Sequence, residues 1–399
     1  MQVLKTKIVI VGGGIAGLWA YRLLWDKGYK PLLLEKGELG GAQTLASQGM
    51  VHGGQRYQLQ GKASEHGNHI AKMPALWQTC FQGQGVIDLS NVKFLSQNQY
   101  MWSPGGLASQ VAAFMASKSM NSKVQALKSS ELPDLFRCAP SFKGKVYRMN
   151  ECVLDVKSLL KAVIGPYKSH LKKAEVKSIE RTSEGKICLT LSESRERIAI
   201  EADSVCFTAG IGNEVALQNL QLEAEGSKSQ RRPLKQIMIK GVSKPCYAHC
   251  ITTDPRPRVT ITAHPDSMGT YTWYLGGIVA EYGVSRSDDE AIANAKKEVA
   301  QLFPWMDWTS KEWSCLYIDR AEPFFDKGFF QSGPELLSEE NVAIAWPTKL
   351  TFAPAIGNMI VDWVQNLNAV ISEKDDTLLG VLSCAEVGLY PWEVCPWSP

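Results

Sequence analysis

Gly12, Gly14 and Gly17 stand directly behind the apolar run Ile8 to Val11 and open a second apolar series at Ile15, Ala16, Leu18, Trp19, Leu23 and Leu24. The first run reads as a parallel strand buried on both faces, and the spacing from Ile15 onward reads as a helix. A G-x-G-x-x-G pattern at a strand-to-helix turn suits the binding of a diphosphate. The first glycine permits the tight turn, the second lets the phosphates approach the backbone, and the third lets helix and strand pack closely. The helix N-terminus adds free N–H groups and a positive dipole end. Glu35 completes the pattern, at the end of the apolar run Pro31 to Leu34 and 18 residues after Gly17. An acid there accepts hydrogen bonds from ribose hydroxyls and repels a 2′-phosphate. Strand, turn, helix, strand and acid fall in register and specify a dinucleotide site. Gly12, Gly14, Ile15, Ala16, Gly17, Glu35 and the adjoining Lys36 are its expected contacts.

The next stretch separates NAD from FAD. Residues 40 to 57, GGAQTLASQGMVHGGQRY, are small, polar and rich in glycine. An NAD dehydrogenase would continue into another regular strand and helix, whereas this segment suits an extended cofactor lying alongside it. The reading is therefore a flavin, with Thr44, Ala46, Ser47, Gln48, Gly49 and Met50 along the cofactor.

At these residues the chain resembles the flavin-dependent D-amino acid oxidase superfamily, with local similarity to its FAD-linked glycerol-3-phosphate dehydrogenase branch. SQGMVHGGQRY (Ser47 to Tyr57) is similar to the His-Gly-Gly-x-Arg-Tyr segment of that branch. VLDVKSLLKAV (Val153 to Val163) resembles the segment returning to the FAD domain, and ADSVCFTAGIGNE (Ala202 to Glu214) the strand and Ala-Gly turn at the cofactor. WYLGGIVAEYGVSR (Trp273 to Arg286) is similar to a strand of the substrate sheet, and NVAIAWPTKLTFAPAIGNMIVDWV (Asn341 to Val364) to the strand, loop and helix that close over the flavin. The resemblance implies FAD as cofactor and adds Val176, Ala209, Gly210, Lys349, Leu350 and Thr351 to its contacts. Without the family, Asn341 to Trp346 reads as a buried strand, Pro347 breaks it, and Ala355 to Val364 reads as a helix aimed back at the sheet edge. The backbone N–H groups of Lys349, Leu350 and Thr351 would then face the flavin where negative charge develops on reduction. Lys349 would add a full charge, or else stand solvated in a loop.

A substrate carboxylate or phosphate needs a fixed cation, and the planar fork of arginine fits two oxygens. Arg56 is the first candidate, with Tyr57 beside it, since the counterpart in the glycerol-3-phosphate branch lines the pocket. Arg320, in YIDRAEPFF, is the second, although the family's arginine stands immediately before the proline and Glu322 occupies that place here. Glu322 is open to pairing with an amine or with Arg320. His52 is a candidate base, a candidate site of covalent flavin attachment, or a hydrogen-bonded structural residue near the ring. His264, after the strand-like VTITA, faces the pocket only if the register is right.

The elements that position these residues suggest an α/β architecture. A discontinuous, Rossmann-like FAD-binding domain (1–80, 151–222 and 335–399) is expected, with an antiparallel, β-rich substrate domain (81–150 and 223–334) presenting one face to the substrate. The chain of 399 residues, 45% hydrophobic and 21% charged, is ordinary for a soluble globular protein, and a net charge of +3 gives no case for nucleic acid. No apolar run is long enough to span a membrane, and the first residues enter a strand, so a cytoplasmic protein without a signal peptide is expected. Ten scattered cysteines read as reduced and buried, and Cys246, His249 and Cys250 as packing rather than a metal site. The basic stretch Ser227 to Lys240 reads as a solvated face, with contact to acidic lipids or a partner at the inner membrane surface as the alternative. The Trp- and Pro-rich tail is expected to pack on the FAD domain or at a dimer contact, or else to anchor at a membrane surface.

Three functions remain open at this point. The first is oxidation of a small anionic hydroxy acid or glycerol-phosphate-like molecule. The second is amine or amino-acid oxidation, and the third a flavoprotein serving assembly or modification. Oxygen, a quinone or a protein could take the electrons.

Overall fold

The computed structural model describes residues 2–51, 65–104, 124–139, 141–192, 198–220, 227–254, 256–325, 333–369 and 380–398. Two eight-stranded sheets carry the fold. In the first, five strands run parallel in the order Val342–Trp346, Ile198–Phe207, Gln2–Val11, Leu32–Glu35 and Leu171–Lys173. Glu335–Glu339 pairs antiparallel with Val342–Trp346, and the hairpin Glu175–Arg181 with Ile187–Ser192 attaches antiparallel to Ile198–Phe207.

The parallel strands are buried on both sides, which explains their unbroken apolar runs. Ile8 and Ile10 join Trp19, Leu23, Leu159, Leu160, Ile356 and Ile360 from three helices in one core layer. Val9, Leu32, Leu34, Val205 and Phe207 face the other way, onto Ile187, Leu189 and Leu217. The helix Ile15–Asp26 stops at Lys27, and Gly28 adopts φ +88°, letting Tyr29 N–H reach back to Leu24 O at 3.0 Å.

The second sheet runs Glu312–Phe325, Ser227–Val242, Tyr271–Gly276, Val259–Pro265, Ala248–Cys250, Gln99–Ser103, Lys145–Met149 and Val124–Ala126. Every neighbouring pair is antiparallel except Ala248–Cys250 with Gln99–Ser103. Val259, Ile261, Ala263, Trp273 and Leu275 point to one side, onto Val279, Ala295 and Val299 of the helices that follow. The alternating VTITA stretch, expected to turn one face to the substrate, is buried throughout from Val259 to His264, where Gln48 and the C-terminal Trp392 cover its polar side.

The basic stretch Ser227 to Lys240 keeps Arg231, Arg232 and Lys240 on a solvated face, while Lys235 is buried. It lies within a long strand whose Ile237, Met238 and Ile239 are fully buried. Its charges are matched locally: Arg231 with Glu214, Arg232 with Glu322 and Lys235 with Asp288. All ten cysteines carry free thiols, but Cys138 and Cys384 are exposed rather than buried. Among the described residues, no helix is long and apolar enough to cross a membrane.

Candidate cofactor and substrate site

The ends of the parallel strands converge on one edge of the first sheet, where ligands of such sheets bind. Gly12 follows the first strand with φ +111°, and a Cβ there would lie 2.6 Å from the Thr208 carbonyl oxygen. Glycine is required on both counts. A Cβ on Gly17 would overlap the Gly12 carbonyl oxygen, so that glycine is set by helix-to-turn packing. Gly14 differs. It is extended, at φ −74° and ψ 179°, it caps the helix, and a Cβ on it would meet Thr44 Oγ1 at 3.4 Å. Its backbone is the open one of the three. The neighbouring Ile15 N–H donates to Thr44 Oγ1 at 3.0 Å. Glu35 reaches the same turn, accepting Gly13 N–H on Oε2 at 2.7 Å and Gly37 N–H on Oε1 at 2.8 Å. An ionised carboxylate has about four acceptor positions, so these two bonds leave capacity for ligand hydroxyls.

The segment from Leu39 to Val51 is pinned between the two sheets. Gly40 N–H donates to Gly13 O at 2.8 Å, and Ser47 N–H to Thr44 O at 3.1 Å. On the other side the Tyr274 hydroxyl oxygen lies 2.9 Å from the Ala46 carbonyl oxygen and 2.6 Å from Gln236 Oε1, both within hydrogen-bond reach. Gln48 Nε2 donates to Tyr274 O at 2.9 Å, and Gln48 Oε1 accepts from Thr260 Oγ1 at 2.9 Å. The Gln48 side chain is thus an inter-sheet tie. Gly49 (φ +68°) accepts Leu154 N–H at 2.9 Å, Met50 bridges to Val153, and Val51 N–H donates to Cys152 O at 3.0 Å. Behind Val51 lies a cavity of about 330 Å³ lined partly by Trp77, Phe81, Phe94, Glu151 and Cys152.

The remaining strand ends bring in the other expected contacts. Ala209 N–H donates to Asn213 Oδ1 at 2.9 Å, Asn213 Nδ2 donates to Ala345 O at 3.0 Å, and Gly210 turns with φ +60°. After Trp346, Thr348 takes φ +58° and Lys349 N–H donates to Pro347 O at 2.7 Å, so that amide is already engaged within the loop. Lys349 Nζ stands 5.8 Å from the Phe352 ring centroid, and Thr351 O accepts from Trp77 Nε1 at 2.9 Å. Leu350 opens the single turn Leu350–Phe352 that leads into the helix Ala353–Asn366. Val176 pairs with Leu191 at a register shift, two residues beyond Ala174, whose N–H donates to Glu35 O at 2.9 Å.

Strand pairing in the second sheet puts Arg232, Gln236, Thr260, Tyr274, His249 and Arg320 on one face, the one turned toward the cofactor loop. Arg320 lies opposite Arg232, and its Nε donates to the Arg232 carbonyl at 3.2 Å. Glu322 accepts from Arg232 at 2.7 Å, so its arginine partner there is not the one the sequence suggested. Gln43 Oε1 accepts Ala321 N–H at 3.3 Å and ties this strand to the cofactor loop. His264 falls on the same face but is sealed: its ring centroid is 4.0 Å from that of Trp392, and burial lowers its pKa to about 3. His249 Nε2 meets Gln99 Oε1 at 2.8 Å, while Cys246 and Cys250 sit in the apolar core, where burial pushes the Cys250 thiol up to about 12. His52, Arg56 and Tyr57 lie outside the described residues.

Sequence reading missed Thr208, Asn213, Tyr274 and Arg232. Thr208 directly precedes the Ala-Gly turn, and its Oγ1 donates to Gly12 O at 2.8 Å, so its place beside the turn was a usable signal. Tyr274 and Arg232 had none, because their importance arises from strand pairing across long stretches of chain.

A parallel sheet with a glycine turn and ribose-type acid at its carboxyl edge, roofed by an antiparallel sheet, defines a two-sheet dinucleotide-dependent oxidoreductase. The model of the family described as FAD dependent oxidoreductase matches residues 7–363. The chain is 41% identical over 362 residues to the probable FAD-dependent oxidoreductase PA4991 of Pseudomonas aeruginosa, covering 90% of each. It is similar to the crystal structure of that protein with a TM-score of 0.80 at 36% identity, over 99% of each chain. Glycine oxidase of Geobacillus kaustophilus shares the fold at a TM-score of 0.64 and 17% identity, covering 94% of this chain and 98% of its own. FAD-bound L-α-glycerophosphate oxidase of Mycoplasma pneumoniae shares it at 0.63 and 12%, over 97% of each. The chain belongs to the family of FAD-dependent oxidoreductases. It is an enzyme, and its cofactor is FAD. The open Gly14 backbone, the Thr44 hydroxyl at the helix N-terminus and the partly used Glu35 carboxylate fit that cofactor.

Proposed function

We infer that the enzyme removes a hydride equivalent from a carbon bearing a hydroxyl in a small anionic substrate, a hydroxy acid or a glycerol-phosphate-like molecule. The observation that carries this reading is the charge on the polar face of the second sheet. Arg232 and Arg320 lie side by side there, with Glu322 as the carboxylate bonded to Arg232. Guanidinium groups so placed suit a carboxylate or phosphate, because the planar fork of arginine holds two oxygens at once.

In this reading Gly12, Gly14, Ile15, Ala16 and Gly17 cradle the diphosphate, with Thr44 donating its hydroxyl proton to a phosphate oxygen. Glu35, with Lys36 beside it, accepts from the ribose, and Val176, Ala209 and Gly210 flank the same half. The backbone from Ala46 to Met50 and the turn at Lys349, Leu350 and Thr351 border the ring. Bound FAD supplies the two-electron acceptor. Arg56, Tyr57 and Arg320 orient the substrate, and His52 takes the hydroxyl proton. The discontinuous FAD-binding domain (1–80, 151–222 and 335–399) and the substrate domain between its parts are the corresponding division of the chain. We place the reaction in the cytoplasm or at the inner membrane surface.

Glu322 favours a second reading, an amine or amino-acid oxidase. Its side chain is only 13% exposed and stands on the same face, where a carboxylate can pair with a substrate ammonium. Anaerobic addition of glycerol 3-phosphate, 2-hydroxy acids, sarcosine, glycine and D-amino acids to the yellow holoenzyme separates the two. Bleaching by a hydroxy compound alone supports the first reading, and bleaching by an amine alone replaces it with the second. A flavin bleached by none of them points to an assembly or modification role.

A further inference from the structure

The segment 380–398 touches the cofactor loop from one side and the substrate sheet from the other. It begins along the edge strand Leu171–Lys173, where Lys173 N–H donates to Ser383 O and Ala385 N–H to Leu171 O, each at 2.9 Å. Buried Lys172 donates Nζ–H to Leu382 O at 3.0 Å. The segment then brackets Leu39: Leu39 N–H donates to Glu386 O at 2.8 Å, and Gly388 N–H donates to Leu39 O at 3.1 Å. The Leu39 side chain lies against the glycine turn, so close that a Cβ on Gly13 would stand 2.5 Å from it.

Farther on, the Tyr390 hydroxyl accepts Lys157 N–H at 2.9 Å, and its ring stacks on Trp392 at 4.4 Å between centroids and 14° between planes. Trp392 crosses to the second sheet, 4.0 Å from the His264 ring and 5.4 Å from that of Tyr274. Tyr274 in turn holds the Ala46 carbonyl. Ser398 closes the path by exchanging backbone hydrogen bonds with Trp313 at 2.6 and 2.9 Å.

Two units joined by loops hinge unless their interface is large and apolar. A segment bonded to both removes that freedom before a ligand arrives, and a preset loop loses less entropy on binding. We propose that residues 380–398 form a strap that presets the loop from Leu39 to Met50 between the two sheets for FAD, and that Trp392 is its positioning residue. Trp392 acts through His264 and Tyr274. The proposal rests on the reading that this loop runs along the cofactor.

The test is titration of apoenzyme with FAD for the wild type, Trp392→Ala, Trp392→Phe and Glu35→Ala, with the melting temperature of each apoenzyme and the visible circular dichroism of bound flavin. Loss of one stacked aromatic contact should weaken FAD binding by Trp392→Ala roughly five- to tenfold. The flavin dichroism should change with it, apoenzyme melting should stay near wild type, and Trp392→Phe should restore most of the affinity. If Trp392→Ala does not fold, Trp392→Leu, which fills much of the space without a ring, carries the same expectation. Wild-type affinity and dichroism in the Ala or Leu variant would overturn the strap, as would a Phe variant that restores nothing. A Glu35→Ala variant that binds FAD as well as wild type would overturn the cofactor-site reading, and the strap's role with it.

Discussion

At the glycine turn the neighbours of Gly12 and Gly17 are almost wholly main chain, whereas Arg232, Glu322, Tyr274 and His264 on the polar face of the second sheet belong to four separate strands. The turn is a local object: a few consecutive residues and the strand ends beside them define it. The face exists only once distant strands have paired in register. Backbone geometry leaves the turn little tolerance, and side-chain chemistry gives the face more. The same contrast holds for charge, since the turn presents N–H groups and a helix end while the face carries full charges, Arg232 and Glu322 among them.

The largest expected effect breaks the turn. Gly17→Ala forces a Cβ into the Gly12 carbonyl and next to Thr208 Oγ1, and neither backbone strand can withdraw without disturbing the sheet. Overpacking of this kind destabilises by about 3 kcal/mol or more and should abolish FAD retention. Urea unfolding and flavin content after gel filtration check it; a stable, yellow Gly17→Ala protein would refute close helix-to-turn contact.

An intermediate effect tests how dry the second sheet's polar face is. His264 is buried among Tyr274, Tyr390 and Trp392, and burial pushes both tyrosines well above their usual range, so neither of them supplies an anion to hold an imidazolium. Its pKa falls from 6.5 to about 3 in the folded protein. The unfolded chain therefore binds the proton first. Stability that is full above pH 6.5 is lost as pH falls toward 3. Between pH 7 and pH 5 the loss traceable to this residue is about 2 kcal/mol. His264→Phe keeps a ring against Trp392 and should lose less stability over that interval, as measured by urea unfolding at both pH values. Parallel pH profiles for the two proteins would mean that water reaches the histidine.

The smallest effect lies where the two regions meet. Tyr274→Phe removes the hydroxyl that binds the Ala46 carbonyl and leaves the apolar packing in place. One lost neutral hydrogen bond is worth about 1 kcal/mol, with a modest weakening of FAD binding. Thermal melting with and without FAD measures it, and an unchanged holoenzyme would show that the ties made by Gln43 and Gln48 suffice to hold the loop to the second sheet.

The legible parts of this protein follow the same division. The parallel strands announce themselves because burial on both faces demands unbroken apolar runs, and Gly12, Gly17 and Glu35 because nothing else fits a turn of that shape. The polar face is less legible. VTITA alternates as a strand with one face toward a substrate would, and Thr260 and His264 are covered by Gln48 and Trp392, which come from distant parts of the chain. Within the basic run Ser227 to Lys240, Lys235 is hidden for the same reason: it is buried and meets Asp288 from a distant helix.

By itself the sequence determined the dinucleotide turn, the acid that follows it and the alternation of strand and helix around them, because each depends on residues near in the chain and on steric limits of the backbone. Tertiary structure alone decided which arginine Glu322 meets, which way His264 faces and where the tail runs. Those outcomes depend on strand register, and a shift of one residue would turn every side chain to the opposite face.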